Sequence, residues 1–167
     1  MDAERLRAAQ APIKARYKDD PTAAMLTLRA RGTVSQDTVT FKLDTGKPGI
    51  PAGLHPATGG DDHAACSGDM LLEALASCAG VTLAAVATSM GIALRDGTTV
   101  EAEGDLDFRG TLGVAKDAPV GFTAIRLKFG IMTKDEAVSE DKVKKLIELT
   151  ERYCVVYQTL RTPPRLG

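Results

Sequence analysis

The most apolar part of the chain is residues 66–90, CSGDMLLEALASCAGVTLAAVATSM. Its hydrophobic residues fall on nearly every side of a helix, and a helix that is hydrophobic all round is typical of a buried position. Either Ser67 or Asp69 is suited to cap the free N–H groups where this helix begins. The pattern therefore predicts a long buried helix that carries one cysteine, Cys78, near its middle.

Two pairs of segments alternate apolar and polar residues, which is the period of a half-buried β-strand. Residues 22–31 and 38–43 form the first pair, a hairpin whose turn is predicted at residues 32–36. The second pair is residues 98–110 and 125–131. The polar face of the earlier strand of this second pair is acidic and that of the later strand is basic, so we expect the two faces to pair.

The N-terminal segment is strongly charged and has a helical pattern. Residues 3–18 predict a short amphipathic helix that is interrupted at Pro12, because proline removes a helical hydrogen bond. Asp20-Pro21 marks the end of this segment. We interpret residues 1–20 as an N-terminal helical extension of a single domain, residues 21–167.

A second long helix is predicted after Ser139, a suitable cap. Apolar residues recur at helical spacing from Val143 to Cys154, which places Cys154 on the buried stripe near the helix end. Residues 45–68 show no periodicity and predict a long loop. The order helix, two strands, long helix, two strands, helix predicts an α+β fold.

Composition narrows the possible partners. The chain has 167 residues, a net charge of −1, no tryptophan and 4% aromatic residues, so neither a basic surface nor stacking platforms for nucleic acid are expected. The N-terminus lacks an apolar signal segment. The helix of residues 66–90 is nearly long enough to span a bilayer, but it is rich in alanine and stands alone. We expect a cytoplasmic protein with neither a membrane nor a nucleic-acid partner.

The three cysteines are too few and too scattered for a disulfide scaffold. Taken alone, Cys78 or Cys154 is most simply a small core residue. Each lies, however, on the core side of a long helix, and these two helices are the best candidates to pack together. The alternative to plain packing is therefore a pair of thiols that is oxidised and reduced together.

The runs SGDMLLEALASCAGVTLAAVA and ERYCVVYQTL resemble the OsmC/Ohr family of thiol peroxidases, and the resemblance covers most of residues 22–160. Asp69, Cys78 and Cys154 fall on the family's acidic position, reactive cysteine and second cysteine. The resemblance implies an OsmC-like fold. In that fold two long helices pack at the centre of an intertwined homodimer, against antiparallel sheets.

The resemblance also implies a function in the oxidative stress response. Cys78 would be the peroxidatic thiolate that reduces an organic hydroperoxide and becomes a sulfenic acid, and Cys154 would resolve it to a disulfide. An external dithiol, either dihydrolipoyl or a low-molecular-weight thiol, would then reduce the disulfide. No bound cofactor and no metal ion are implied.

A reactive Cys78 needs a nearby cation. Its helix face is apolar, burial there raises the pKa of a thiol, and its own helix offers no positive charge. The family supplies an arginine from the first hairpin, held by the acidic residue at the helix start. The resemblance therefore implies Arg29, with Arg31 as the alternative, oriented by Asp69.

Asp69 precedes Cys78 by nine positions, which is roughly 13 Å along a helix and about half a turn around it. One straight helix therefore cannot bring both side chains to one site. An antiparallel neighbouring helix in a two-fold dimer can, so we expect active sites that the two protomers share.

Two positions depart from the family pattern. Asp69 stands where glutamate is usual, and Val155 follows Cys154 where proline is frequent. Asp69 is one methylene shorter than glutamate, which affects how closely it would hold the arginine. Val155 affects the backbone geometry at Cys154.

Three alternatives stay open. Cys66 lies near two histidines and two aspartates that suggest a metal site, but their spacing matches no structural zinc pattern: His55, Asp61, Asp62 and His63. Cys66 is otherwise a surface thiol or another partner for Cys78.

Two other functions would also use this fold. One is a non-catalytic dimeric module that binds an apolar ligand, and the other is a redox sensor that reacts stoichiometrically.

Overall fold

The computed structural model describes residues 3–36, 40–43, 52–60 and 65–167. Helices and a sheet alternate along these residues, so the predicted α+β class is confirmed. The helices are α1 (Ala3–Asp19), α2 (Ser67–Ser89), α3 (Phe108–Thr111), α4 (Glu140–Tyr153) and α5 (Val155–Arg161). The strands are β1 (Met25–Ser35), β2 (Thr40–Leu43), β3 (Ala52–Gly53), β4 (Ala65–Cys66), β5 (Thr99–Asp107) and β6 (Phe122–Gly130).

The main sheet has the strand order β2-β1-β5-β6. The predicted hairpin of β1 and β2 is confirmed and is antiparallel. The prediction of a turn at residues 32–36 is wrong, because β1 continues to Ser35 and Gly32 pairs with Leu43. Ala30, Gly32 and Val34 are all buried, so the alternation runs on through a glycine that carries no side chain to reveal it.

The predicted loop of residues 45–68 contains regular structure, so the prediction is wrong for the part that the structure describes. β3 and β4 pair in parallel, and residues Pro56–Thr58 form a 3₁₀ turn between them. At Gly60 an added Cβ would lie 1.8 Å from the Leu54 carbonyl oxygen, so only glycine fits there. Residues 45–51 and 61–64 lie outside the described residues.

The chain divides into two compact units. Unit 1 comprises Met1–Arg29, Gly46–Leu71 and Glu103–Arg126. Unit 2 comprises Ala30–Thr45, Leu72–Ala102 and Leu127–Gly167. The strands β1, β5 and β6 each contribute one end to each unit.

In unit 1 the helix α1 runs unbroken through Pro12, so the predicted interruption is wrong. Pro12 is exposed, and water can satisfy the carbonyl that the proline leaves without a helical partner. The helix is anchored by Tyr17, which is fully buried and donates a hydrogen bond to the Ala57 carbonyl at 3.2 Å. Whether residues 1–20 form an extension separate from residues 21–167 stays a prediction.

The part of helix α2 that belongs to unit 2 begins at Leu72 and supplies much of the core of that unit. The predicted bounds of α2 are confirmed to within a residue. It begins at Ser67, so Asp69 lies inside its first turn. The helix is not buried on every side, however. A stripe remains exposed or half-buried and consists of Ala74, Cys78, Val81, Thr82 and Ala85.

Two further features concern the long helices. The predicted cap of α4 is confirmed, since the Ser139 hydroxyl accepts a hydrogen bond from the Lys142 N–H at 3.4 Å. By length and composition α2 is the one helix in the described part of the chain that could cross a membrane, and half of its apolar window is buried inside the chain.

We expect replacement of Tyr17 to test how firmly α1 is anchored. Tyr17→Ala should lower the free energy of unfolding by about 3–5 kcal/mol, because it empties a fully buried aromatic site. Tyr17→Phe should cost about 1 kcal/mol, the net value of one hydrogen bond. Denaturant unfolding measures both, with the exposed Lys18→Ala as the control. A Tyr17→Ala variant as stable as this control would contradict the packing.

Candidate active site

Cys154 lies at a break between two helices rather than inside one. The backbone is extended at this residue (φ −71°, ψ 109°), so α4 ends at Tyr153 and α5 begins at Val155. The prediction that Cys154 lies on the buried stripe near the helix end is confirmed, since it is fully buried and caps α4. The sequence analysis did not predict that a further helix, α5, begins at the next residue. No glycine or proline marks the break, so the helical spacing gave no sign of it.

Both helix ends are tied together by Cys154 itself. Its N–H donates to the Thr150 carbonyl at 2.9 Å, which closes α4. Its Sγ accepts a hydrogen bond from the Tyr157 N–H at 3.4 Å, which caps α5. Cys154 is thus fixed by backbone hydrogen bonds to both helices, one through its N–H and one through its sulfur.

The structure brings Cys78 and Cys154 together within unit 2. The Cys78 side chain lies close enough to the Cys154 thiol to act on it. Burial is the largest cause that raises the pKa of Cys154, and the interaction with Cys78 raises it further, to about 11.

The surroundings of the two thiols differ. Cys78 is half-buried on the partly exposed stripe of α2, whereas Cys154 is fully buried. A cleft of about 470 Å³ opens beside Cys154. Arg152 is a positively charged residue of this cleft that the sequence did not single out. Its guanidinium lies 5.5 Å from the centroid of the Tyr153 ring. The cleft is lined by Arg152, Tyr153, Cys154, Val155, Gln158, Thr159, Thr162 and Pro164.

Arg29, the predicted thiolate stabiliser, forms an ion pair in unit 1. Its Nε donates to the Glu103 carboxylate at 2.9 Å. Glu103 also accepts from Arg126 Nε at 3.3 Å, so the predicted pairing of the acidic face of β5 with the basic face of β6 is confirmed. Sequence reasoning placed Glu103 on this face but assigned it no role. Arg31 is exposed on β1.

The predicted roles of Arg29, Arg31 and Asp69 at Cys78 stay predictions. Asp69 and Cys78 lie in the same helix, α2, roughly 13 Å apart along its axis and about half a turn apart. Within one chain, therefore, these two side chains point away from each other.

Cys66 ends β4 and lines a second cleft, of about 400 Å³, in unit 1. His55 lines the same cleft. Its ring stacks on Phe108 with centroids 5.0 Å apart, and its Nδ1 accepts a hydrogen bond from the Ala57 N–H at 3.0 Å. Both contacts give His55 a structural role. All three cysteines of the chain are free thiols.

The suggested metal ligands Asp61, Asp62 and His63 lie outside the described residues. Among the residues that the structure describes, no group of three or more histidine, cysteine, aspartate or glutamate side chains is arranged to hold a metal ion.

The contact between the two thiols predicts how Cys154 titrates. In the reduced protein the ¹³Cβ shift of Cys154 should report a pKa of about 11. Cys78→Ser removes the negative charge beside it, so this pKa should fall but stay above the ordinary value of 9.0, because burial is the largest cause. Since the folded pKa is the higher one, the associated stability is present below pH 9 and lost as pH rises through 11. An unchanged pKa in Cys78→Ser would contradict the contact.

The comparisons with known proteins agree with this architecture. The family model described as OsmC-like protein matches residues 59–167. No curated protein sequence matches the chain.

Two solved structures share the fold. One is an OsmC-like hydroperoxide resistance protein from Jannaschia sp. CCS1, with 16% identity, a TM-score of 0.57, and coverage of 86% of this chain and 91% of that one. The other is an OsmC-like protein from Mycoplasma pneumoniae, with 17% identity, a TM-score of 0.55, and coverage of 83% of this chain and 86% of that one. The family match covers well over half of the sequence, and the chain therefore belongs to the OsmC-like protein family.

Proposed function

We propose that this protein is a cysteine-based peroxidase that reduces organic hydroperoxides. The observation that carries the proposal is the contact between Cys78 and Cys154, with Cys154 held in its protonated form. The fold shared with a hydroperoxide resistance protein supports the same reaction class.

The reaction begins at the Cys78 thiolate. This sulfur attacks the terminal oxygen of the hydroperoxide, the O–O bond breaks, and the alkoxide leaves as an alcohol after taking up a proton. Cys78 becomes a sulfenic acid. Cys154, whose pKa is raised to about 11, stays protonated beside this sulfur and adds no second negative charge to the site.

Resolution follows at the neighbouring sulfur. Cys154 attacks the Cys78 sulfur, a disulfide forms, and the hydroxyl group leaves as water with the proton of the Cys154 thiol. An external dithiol, dihydrolipoyl or a low-molecular-weight thiol, then reduces the disulfide by exchange and is itself oxidised. The net reaction converts one hydroperoxide and one dithiol into an alcohol, water and a disulfide, with no bound cofactor.

The substrate class follows from the side chains beside Cys78. Ala74, Val81 and Ala85 line the same partly exposed stripe of α2 and carry no charge. An alkyl or aryl hydroperoxide can cover this surface, whereas hydrogen peroxide has no apolar part to place there.

We propose that the same stripe also contacts a second copy of the chain. Val81 is 41% exposed, although it lies in the middle of the most apolar helix of the protein. Two copies of α2 packed antiparallel would cover it. They would also bring Asp69 of one copy toward Cys78 of the other, which one chain cannot do, and Arg29 would join that shared site.

Thiol counting tests the reaction. One equivalent of cumene hydroperoxide should lower the free thiols from three to one per chain, as Cys78 and Cys154 form a disulfide. Cys78→Ser should lose none, and Cys154→Ser should stop at a sulfenic acid that dimedone traps. Unchanged thiols in the wild-type protein would favour the binding module. Oxidation without turnover in the presence of dihydrolipoamide would favour the sensor.

Charge placed on the stripe tests the dimer. Val81→Lys should shift the protein from dimer to monomer in sedimentation analysis, because a lysine cannot be buried unpaired at an apolar interface. Leu166→Lys is the matched control, since Leu166 is also exposed, at 94%, and follows the last helix of the chain, α5. A wild-type protein that is monomeric throughout would contradict the shared site.

A further inference from the structure

The helix α5 is held in place by few interactions. It has seven residues, none of which is buried, and Val155 at its start is 71% exposed. A helix of this length is marginal by itself, and most helices in proteins are stabilised by burying an apolar face. Because α5 buries no such face, its stability depends largely on the hydrogen bonds at its N-terminal end.

Two side-chain hydrogen bonds attach α5 at this end. The Cys154 sulfur accepts a hydrogen bond from the Tyr157 N–H at 3.4 Å and so caps the helix. The Gln158 side chain donates from Nε2 to the Glu151 carbonyl of α4 at 2.8 Å, across the break between the two helices. One of the two groups that hold α5 is therefore a sulfur that the proposed reaction oxidises.

Oxidation changes the position of this sulfur. In the reduced protein Cys78 and Cys154 are free thiols, close enough to act on one another but not bonded. A disulfide fixes its two sulfurs about 2.05 Å apart, which is shorter than any non-bonded contact. Closing this distance displaces the Cys154 sulfur. The hydrogen bond from the Tyr157 N–H, at 3.4 Å, is already long and leaves little room for displacement.

The helix α5 also forms part of the wall between Cys154 and solvent. Cys154 is fully buried, and the cleft of about 470 Å³ opens beside it. Most residues that line this cleft belong to α5 or follow it: Val155, Gln158, Thr159, Thr162 and Pro164. An external dithiol can therefore reach the Cys154 sulfur when this wall moves.

The chemistry of exchange favours attack at this buried sulfur. Thiol–disulfide exchange expels one thiolate, and a thiol of high pKa leaves slowly. Burial and the neighbouring Cys78 raise the pKa of Cys154 to about 11, so attack on the Cys78 sulfur, which expels Cys154, is a slow route. Attack on the Cys154 sulfur expels Cys78 instead.

We propose that α5 is a gate that opens when the disulfide between Cys78 and Cys154 forms. A thiolate of the external dithiol then attacks the Cys154 sulfur, the disulfide breaks, and Cys78 leaves as a thiolate. The second thiol, once it has lost its proton, attacks the dithiol's own sulfur in the mixed disulfide. Cys154 leaves, takes up a proton and caps α5 again. This inference rests on the proposed function, because the dithiol belongs to that proposal.

Amide hydrogen exchange measures the gate. Diamide, which oxidises thiol pairs without a peroxide, prepares the disulfide form, and peptide mass spectrometry follows the exchange. In this form residues 155–161 should exchange about fivefold faster than in the reduced protein, as expected for the loss of a helix cap. Peptides from residues 140–150 of α4 should not change.

Two variants of the cap serve as a matched pair in the same measurement. Cys154→Ala removes the capping atom, so α5 should exchange as fast in this variant, without any oxidant, as in the disulfide form. Cys154→Ser supplies a hydroxyl that caps helices well, so it should keep the slow exchange of the reduced protein.

Reduction of the disulfide tests the consequence of opening. Gln158→Ala removes the second attachment of α5, so its helix should exchange about fivefold faster and dihydrolipoamide should reduce its disulfide faster by a similar factor. Lys142→Ala, at an exposed position of α4, is the control and should change neither rate. A brief reaction with 2-mercaptoethanol, quenched with iodoacetamide, should leave the mixed disulfide on Cys154.

The results that would overturn the gate are distinct. They are equal exchange of α5 in the two redox forms, a mixed disulfide on Cys78, or faster exchange in Gln158→Ala without faster reduction. If diamide forms the disulfide but cumene hydroperoxide does not, the proposed function fails and the exchange measurement still decides the gate. If diamide forms no disulfide, the gate has no trigger and the inference is overturned.

Discussion

The contact between the side chains of Cys78 and Cys154 is the interaction on which the proposed chemistry depends. It joins a sulfur in the middle of α2 to one at the junction of α4 and α5. Burial and the neighbouring Cys78 raise the pKa of Cys154, so this thiol stays protonated at neutral pH. The two thiols differ in environment, because Cys78 lies on a partly exposed helix face and Cys154 is enclosed.

The geometry of α2 sets the second constraint. Its apolar residues are buried on most sides, yet the stripe that carries Cys78 remains partly open. A hydrophobic surface beside a reactive group can receive a substrate, a second copy of the chain or both. The separation of Asp69 and Cys78 within one helix favours the proposal that this surface receives both a substrate and a second copy of the chain. A site that needs both side chains must draw them from two helices.

Charged side chains of β1, β5 and β6 form a network of ion pairs on the sheet. Exposed ion pairs contribute little on their own, because solvent screens them and ordering two long side chains costs entropy. Here Glu103 is buried and contacts two guanidinium groups, and Arg126 is in turn bound by Asp105.

The sequence by itself determined the elements whose signal is local. The apolar run of α2, the alternation in β5 and β6 and the cap at Ser139 each depend on residues a few positions apart. Periodicity therefore predicted them, and it placed Cys78 correctly on α2. The two runs around Cys78 and Cys154 were also enough to indicate the family, and the family model agrees.

Only the tertiary structure decided what depends on distant residues. Glu103 lies 74 positions from Arg29, and nothing in the alternation of β5 marks which of its acidic residues meets that arginine. The break between α4 and α5 at Cys154 is not marked by a proline or a glycine. The pairing of β3 with β4 is not marked by any periodic pattern in the sequence. Such features arise when buried backbone and charged groups find partners across the fold, and those partners are set by packing rather than by neighbouring residues.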